Sequence, residues 1–282
     1  MPEPTKTTPQ TIAALGQPLA RGNTAEIFAW GSAQVLKLYR PDFSADAVNK
    51  EASLARTVYA AGLRVPAVGD LIMIENRHGL IYERIVGPPL LDQLSARPWR
   101  VARIAQTMAQ LHTAIHARPA PTIPPLHQRL ERNIQNAKLL SNPVRQSVLG
   151  ILQTLPDANQ LCHNDFHPAN ILMADQGPVI IDWMDAARAD PLADVARTLI
   201  LVHFAGLPSS GPLRLAQVAL RRLLSGLYLR RYFQLRPGQR NDLARWMIPV
   251  AAARLVEGVG EEAQLARYVE VRVRETSRQG NK

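Results

Sequence analysis

The sequence has one cysteine, few aromatic residues and no long apolar run. Cys162 is the only cysteine among 282 residues, which excludes an intramolecular disulfide and a zinc site built from cysteines. The longest apolar stretch, residues 199–207, is interrupted by His203 and is much shorter than the roughly 20 residues of a membrane span. Met1 to Gln10 contain no apolar run, so they predict neither a secretory signal nor an anchor. We expect a soluble, cytoplasmic protein without a membrane partner.

Positive charge is abundant and unevenly distributed. The chain carries a net charge of +10, and the segment from Val195 to Lys282 holds 14 arginines and one lysine against six acidic residues. Such a surface favours polyanionic partners, either nucleic acid or phosphate-bearing ligands. A solvated arginine-rich helical surface is the simpler interpretation, because residues such as Arg230 and Arg231 fall at helical positions that face water. A basic nucleic-acid-associated protein remains the alternative, although no recognisable nucleic-acid motif accompanies the charge.

The hydrophobic pattern changes near Gly87. Before it, strand-like runs alternate with turns and with one helix near residues 45–61. After Gly87-Pro88-Pro89 the pattern becomes helical, with a hairpin-like interruption at residues 161–181. We predict a loose tail at 1–16, a small first lobe at 17–87 and a mainly α-helical second lobe at 88–282. The individual runs are strands at 25–30, 34–38, 71–74 and 80–85, and helices at 99–117, 126–140, 144–155, 192–204 and 213–235, with two more helical segments toward the C-terminus.

The unusual polar residues are concentrated in that interruption. Its sequence is His163-Asn164-Asp165-Phe166-His167-Pro168-Ala169-Asn170, followed by two apolar runs and Asp182. Phosphoryl transfer from ATP needs a carboxylate that accepts the proton of the attacking hydroxyl, and oxygen ligands for Mg²⁺. Asp165, Asn170 and Asp182 supply both. Their order and spacing match the catalytic pattern of kinases.

This stretch resembles the aminoglycoside phosphotransferase and choline kinase group of kinase-like enzymes. The resemblance implies an α+β, protein-kinase-like two-lobed fold, with a small antiparallel-sheet N-lobe that has one helix and a mainly α-helical C-lobe. It implies ATP-dependent transfer of the γ-phosphoryl group to a hydroxyl of a small-molecule alcohol. It also implies that Asp165 is the catalytic base, that Asn170 and Asp182 bind Mg²⁺, and that His163 and His167 support the loop.

Three positions depart from related patterns. Protein kinases carry Arg where this chain has Asn164, and they have Asp-Phe-Gly where Asp182 is followed by Trp. These departures argue against a protein kinase that is regulated by its activation loop. Downstream, Asp190 followed by Pro resembles the family's helix start and suits an N-cap, although Ala189 stands where the family usually has Gly.

Upstream residues complete the kinase pattern. Lys37 lies in an apolar strand and Glu51 on the following helix, and such a pair holds the α and β phosphates in kinases. Residues 81–87 resemble the family's hinge, which implies adenine binding by the Glu83 carbonyl and the Ile85 amide. Gly22 lies in the expected phosphate-covering loop, residues 21–26, where it permits close approach of the backbone. A simple hairpin turn is the alternative for this loop.

Other interpretations of these residues remain. His163, Asp165 and His167 are compatible with a zinc site or with a purely structural polar loop. A catalytically silent scaffold would be expected to lack one of the kinase residues, whereas all are present. The acceptor and the oligomeric state are left open. The basic C-terminal third favours a neutral or anionic alcohol over a polycationic aminoglycoside.

Overall fold

The chain folds into two compact units. The computed structural model describes residues 11–22, 24–204, 206, 211–238 and 240–279. One unit contains the residues up to Pro88 together with Leu172–Met184, and the other contains Pro89–Ile171 together with the residues from Asp185 onward. The first unit thus includes Leu172–Met184, which the sequence-based boundaries place in the second lobe. The assignment of functions to the two lobes stays a prediction. Of the predicted tail, residues 1–10 lie outside the described residues, and Ile12–Leu15 form a short 3-10 helix.

Strands concentrate in the first unit and helices in the second. The strands are β1 Ala20–Arg21, β2 Ala25–Trp30, β3 Gln34–Tyr39, β4 Val68–Ile74, β5 Arg77–Glu83, β6 Gln160–Cys162, β7 Ile171–Ala174, β8 Gly177–Ile180 and β9 Ala187–Ala189. The helices are α1 Ala45–Ala60, α2 Leu90–Ala96, α3 Val101–His116, α4 Leu126–Gln135, α5 Asn142–Gln153, α6 Pro191–Phe204, α7 Pro212–Leu235, α8 Arg240–Arg254 and α9 Glu262–Gln279. Among the residues that the structure describes, no helix is long and apolar enough to cross a membrane.

The sheet of the first unit places Lys37 at its centre. Five antiparallel strands run in the order β1-β2-β3-β5-β4, so β3 is the middle strand, and Lys37 pairs with Ile27 and Leu80. Because side chains alternate along a strand, Leu36 and Leu38 join the core cluster on one face. Lys37 therefore points to the other face, where β3 and β5 pack against α1.

Helix α1 presents Glu51 to that face. Ser44 is the N-cap, because its Oγ accepts a hydrogen bond from the Ala47 amide at 3.2 Å. The buried positions Val48, Glu51 and Ala52 recur at helical spacing, so they share one stripe of the helix. Glu51 thus lies among apolar residues, where a carboxylate requires a partner.

The connection after β5 runs against the β7–β8 hairpin. Met173 donates its amide hydrogen to the Pro88 carbonyl at 2.9 Å. A Cβ atom at Gly87 would lie 2.4 Å from the Met173 carbonyl oxygen, far inside van der Waals contact. Only glycine fits at this point without movement of the backbone.

In the second unit, the loop of residues 163–170 lies between β6 and β7. Strand β6 pairs with β9, and α3 packs against α7. Asp190 caps α6, because its Oδ1 accepts from the Leu192 amide at 2.8 Å. The predicted N-cap is therefore confirmed.

Most predicted elements are confirmed, and some details are wrong. The predicted strands at 25–30 and 34–38 and the helix near 45–61 match β2, β3 and α1. The helix predicted to reach residue 140 ends at Gln135, and β5 ends at Glu83 rather than at Ile85. The hairpin of β4 and β5 turns at Glu75 and Asn76, where Glu75 has a positive φ of 51°. The short elements β1, α2 and β9 are missing from the prediction.

Candidate active site

In the first unit, Lys37 lies between two carboxylates. Its Nζ is 2.7 Å from Glu51 Oε1 and 3.0 Å from Asp182 Oδ1. Lys37 is 8% exposed and Glu51 4%, whereas the side chain of Asp182 is 38% exposed. The Tyr82 hydroxyl also donates to Glu51 Oε1, at 3.0 Å. The structure thus brings together three of the predicted site residues and adds Tyr82 to them.

The positive charge of Lys37 and the negative charges of Glu51 and Asp182 stabilise one another. Burial lowers the pKa of Lys37, but the carboxylates of Asp182 and Glu51 outweigh it and raise that pKa above its ordinary value. Lys37 is therefore protonated. Burial, followed by the negative charge of Glu51, raises the pKa of Tyr82, so its hydroxyl stays a neutral donor.

Asp182, two residues after the end of β8, adopts an uncommon backbone conformation. Its φ of +63° lies in the left-handed region, which aspartate tolerates better than most side chains. The Trp183 indole donates to the Ile180 carbonyl at 3.1 Å and fixes the turn that Asp182 occupies. Uncommon conformations of this kind persist where the surrounding structure enforces them, which includes many functional sites.

In the second unit, Asp165 and Asn170 form a direct pair. Asn170 Nδ2 donates to Asp165 Oδ2 at 2.8 Å and to the Asp165 carbonyl at 2.9 Å. His167 Nε2 lies 3.5 Å from the same Oδ2. These contacts use the nitrogen of the Asn170 amide and leave its oxygen for another partner.

The environment of Asp165 favours its ionised form. Burial raises the pKa of Asp165, but the hydrogen bond and charge of His167, and then the charge of Arg197, lower it overall to well below the ordinary value. Asp165 is therefore a carboxylate at neutral pH and accepts hydrogen bonds only.

Asp194 on α6 anchors the loop of residues 163–170. Its Oδ2 accepts from the His163 amide at 2.6 Å, and its Oδ1 accepts from the Asn164 amide at 2.9 Å. Asn164 has a positive φ of 61°, so this anchor holds an uncommon conformation one residue before Asp165. Arg197 Nε donates to the Asn164 carbonyl at 3.1 Å.

The sequence prediction assigns no role to Asp194. The available signal is its position in α6 between Ala193 and Val195, because an acidic residue within an apolar helical run needs buried partners. The pattern does not reveal which partners these are, since they lie 30 residues upstream.

Charged residues beside the loop form a paired network. Arg129 Nη1 is 3.2 Å from Asp185 Oδ1, and Arg197 Nη1 is 2.8 Å from Glu257 Oε1. Arg254 contacts Glu257 and Glu261, each at 2.6 Å. Arginine therefore pairs with each of the acidic residues of this network, Asp185, Glu257 and Glu261.

The local geometry disfavours the zinc interpretation of the loop histidines. His163 Nδ1 accepts from the Asp165 amide at 3.1 Å, and His167 Nδ1 accepts from the Ala169 amide at 3.3 Å. Both nitrogens are engaged in shaping the backbone. Neither histidine belongs to a potential metal-binding cluster of three within the described part of the chain.

The remaining predicted residues have mainly local contacts. The Gly22 amide donates to the Ala25 carbonyl at 2.9 Å, which closes the turn between β1 and β2; residue 23 of that loop lies outside the described residues. Glu83 Oε2 accepts from the Ala67 amide at 3.1 Å, and Ile85 follows the end of β5. A cavity of about 420 Å³ is lined by Glu83 together with Trp30, Gln34, Val68 and four further residues. Its lining does not include Lys37 or Glu51, so we do not assign the nucleotide to it.

A family comparison identifies the chain. The model of the phosphotransferase enzyme family, APH, matches residues 16–233, which is most of the sequence. The chain belongs to this family. No curated protein matches the sequence.

Solved structures show the fold of this phosphotransferase. A thermostable mutant of aminoglycoside phosphotransferase APH(4)-Ia, in complex with AMP-PNP and hygromycin B, aligns with a TM-score of 0.67 at 18% identity over 92% of both chains. Choline kinase from Cryptosporidium parvum aligns with a TM-score of 0.59 at 15% identity over 94% of this chain and 90% of that one. The amicoumacin kinase hAmiN, in complex with AMP-PNP, Ca²⁺ and Ami, aligns with a TM-score of 0.62 at 12% identity over 95% and 90%. The protein-kinase-like α+β two-lobed fold and the family resemblance are therefore confirmed.

Proposed function

We propose that this phosphotransferase is an ATP-dependent kinase that transfers the γ-phosphoryl group to a hydroxyl of a small molecule. The observation that carries the proposal is the buried Lys37, held at 2.7 Å by Glu51 and at 3.0 Å by Asp182. A buried, protonated lysine between two carboxylates suits a site for nucleotide phosphates. Complexes of structural relatives with AMP-PNP, hygromycin B or Ami support a nucleotide and a small-molecule acceptor.

The nucleotide is assigned to residues of the first unit. Lys37 binds the α and β phosphates, and Glu51 holds Lys37 in position from the buried side. The backbone groups of Glu83 and Ile85 bind adenine. Gly22 lets the turn between β1 and β2 approach the phosphates, although its local bond to Ala25 serves a hairpin equally well.

Asn170 and Asp182 have the donor chemistry for Mg²⁺. Magnesium prefers oxygen ligands, and these residues offer an amide oxygen and a partly exposed carboxylate. The amide nitrogen of Asn170 is bonded to Asp165, so the oxygen is the atom left for a metal. When bound, Mg²⁺ supplies positive charge that neutralises the phosphate oxygens.

Asp165 is assigned as the proton acceptor. Its Oδ2 contacts Asn170 and His167, which leaves Oδ1 for the acceptor hydroxyl. The hydroxyl oxygen forms a bond to the γ-phosphorus, the bond from that phosphorus to the ADP oxygen breaks, and the hydroxyl proton passes to Asp165. His163, His167 and Asp190 support the loop and the start of α6.

An acceptor screen tests this function. The purified protein is incubated with Mg-ATP and with amino alcohols, sugars, nucleosides or antibiotics, and ADP release is measured together with the mass of the product. We expect one class of alcohol to gain a phosphate. Asp165→Asn should lower turnover of that acceptor by about 10²- to 10⁴-fold, because it removes the proton acceptor.

The screen also has an outcome against the proposal. Turnover in Asp165→Asn equal to that of the unaltered protein would exclude Asp165 as the base. Normal ATP binding without ADP release in the presence of any acceptor would contradict small-molecule transfer and favour the catalytically silent scaffold.

A further inference from the structure

A buried cluster in the second unit links α3 and α7 to Asp194. His112 and His116, one helical turn apart on α3, each direct Nε2 toward Asp194 Oδ2, at 3.0 Å and 3.3 Å. Their Nδ1 atoms lie 2.6 Å from the Tyr228 hydroxyl and 2.8 Å from the Tyr232 hydroxyl, both on α7. All five side chains are at most 1% exposed, so each polar atom depends on the others.

The hydrogen atoms of this cluster can be assigned by counting donors. An ionised carboxylate accepts about four hydrogen bonds and donates none. Two positions of Asp194 are taken by the amides of His163 and Asn164. The two imidazole Nε2 atoms share Oδ2 with the His163 amide, and each must carry a hydrogen, because an unprotonated nitrogen would repel the carboxylate. His112 Nε2 lies closer to Oδ2, at 3.0 Å, but only His116 Nε2 is hydrogen-bonded to it.

The tyrosine hydroxyls determine which ring nitrogen of each histidine carries the hydrogen, that is, its tautomer. A neutral imidazole has one N–H, so when Nε2 is the donor, Nδ1 is an acceptor. The hydroxyls of Tyr228 and Tyr232 are the groups that face Nδ1, and they must therefore donate. Burial, and then the neighbouring His112, lower the pKa of His116 to about 3, which agrees with a neutral ring.

A second path joins the cluster to the catalytic loop. The ring of His112 stacks on Phe166, the residue after Asp165, with centroids 4.2 Å apart at 23°. Thr198 on α6 donates to the Phe166 carbonyl at 2.9 Å. His112 thus contacts both Asp194, which anchors the residues before Asp165, and the residue after Asp165.

We propose that His112 and His116, each held in one tautomer by a tyrosine hydroxyl of α7, are positioning residues that orient Asp165 through Asp194. The inference rests on the proposed phosphotransfer at Asp165. In a protein with this geometry, removal of a tyrosine hydroxyl frees the histidine to place its hydrogen on Nδ1. The carboxylate then loses a donor, and the loop loses part of its anchor.

Single-atom variants test the proposal in the full chain. Tyr228→Phe and Tyr232→Phe remove one hydroxyl each, and Tyr268→Phe on α9 is the matched control, because its ring packs on Phe204 away from the histidines. The first measurement is long-range ¹H–¹⁵N NMR of the histidine rings, which distinguishes the tautomers and needs no acceptor. We expect Nε2–H at His112 and His116 in the unaltered protein and in the control. We expect Nδ1–H at the partner histidine in each tyrosine variant.

Kinetics with the acceptor from the screen give the second measurement. For each tyrosine variant we expect kcat to fall about tenfold while KM for ATP is unchanged, since one hydrogen bond is lost away from the nucleotide residues. His116→Gln, which keeps a donor near the Nε2 position, should retain more of kcat than His116→Leu. If His116 had a purely structural role, both variants would be less stable, and His116→Gln would not retain more of kcat than His116→Leu.

The outcomes separate this inference from the proposed function. Nδ1–H tautomers in the unaltered protein, or tautomers and kcat that do not respond to the tyrosine changes, would overturn it. A divalent ion bound one-to-one and lost in Asp194→Asn, measured by elemental analysis, would also overturn it, because a metal would then occupy the position of the two hydrogens. If no acceptor is found, the proposed function fails while the NMR result still decides the hydrogen-bond assignment.

Discussion

At the residue scale, Asp182 combines an ion pair with exposure. Its Oδ1 contacts the buried Lys37 at 3.0 Å, yet 38% of its side chain is accessible. Glu51 forms the shorter contact with Lys37, at 2.7 Å, and is almost fully buried. The two carboxylates are therefore not equivalent, because Glu51 fixes the lysine while Asp182 remains accessible to a cation.

This difference predicts the behaviour of Asp182→Asn. The variant should bind ATP more weakly in the presence of Mg²⁺, because an amide lacks the charge that attracts the metal. Without Mg²⁺ its affinity for ATP should change much less. Calorimetric titration of ATP with and without Mg²⁺ measures both values, and Asn170→Ala is the comparison, for which we expect a smaller loss. Equal Mg²⁺-dependent affinities in Asp182→Asn and the unaltered protein would exclude Asp182 as a ligand.

At the scale of elements, the sequence is sufficient for the regular parts of the fold. Strand β3 and helix α1 are predictable because their apolar residues recur with periods of two and about 3.6. Strand β9 is not, since Ala187-Arg188-Ala189 has no β-branched residue and is a strand only through its pairing with β6. Helix α2 is also missing from the prediction. It follows prolines and has only seven residues, so its formation depends on tertiary packing more than on its own sequence.

The residues of the candidate site also differ in whether the sequence predicts them. Asp165 and Asn170 can be predicted from the spacing of their motif. Lys37 and Glu51 can be predicted from the order of the strand and the helix that carry them. The roles of these residues stay predictions. Asp194, His112 and His116 escape notice because no local pattern reveals buried hydrogen bonds across 78 or more residues. Long-range polar contacts of this kind depend on packing, which periodicity does not encode.

Two glycine substitutions, one of them in the connection after β5, should have opposite effects on stability. Gly87→Ala should destabilise the protein by about 1–3 kcal/mol, because the new Cβ would meet the Met173 backbone. Gly150→Ala, within α5, meets no atom within 4 Å and should stabilise it by about 0.5–1 kcal/mol, since alanine favours the helix. Urea denaturation followed by circular dichroism measures both free energies of unfolding. Similar effects of the two substitutions would contradict the close approach at Gly87.

At the scale of the whole molecule, the charge excess is partly compensated within the second unit. Arg197 and Arg254 form ion pairs with Glu257, and Arg272 pairs with Glu275. Arg230 is exposed, as the helical pattern predicts, whereas Arg231 is half-buried. The net charge of +10 therefore overstates the field that a ligand near Asp165 experiences, although the chain as a whole remains positively charged.

This balance predicts the charge of the acceptor, on the premise that it binds beside Asp165. A polycationic aminoglycoside carries several ammonium groups and needs a surplus of carboxylates. Here Asp185 is paired with Arg129, and Glu257 with Arg197, so the acidic groups beside Asp165 already have cationic partners. We therefore expect neutral or anionic alcohols to be phosphorylated efficiently, and kanamycin, neomycin and streptomycin to be poor acceptors.

Mass spectrometry after incubation with Mg-ATP compares these acceptors directly. Each antibiotic is matched with a neutral sugar and a hydroxy acid at the same concentration, and Asp165→Asn provides the background. The salt dependence of KM gives an independent check, because a basic surface lowers KM for an anionic acceptor and added salt removes that advantage. KM for the hydroxy acid should therefore rise with ionic strength, while KM for the sugar stays constant. Efficient phosphorylation of any of the three antibiotics would overturn the prediction, and would mean that the ion pairs of Arg129 and Arg197 open to release Asp185 and Glu257 for the drug.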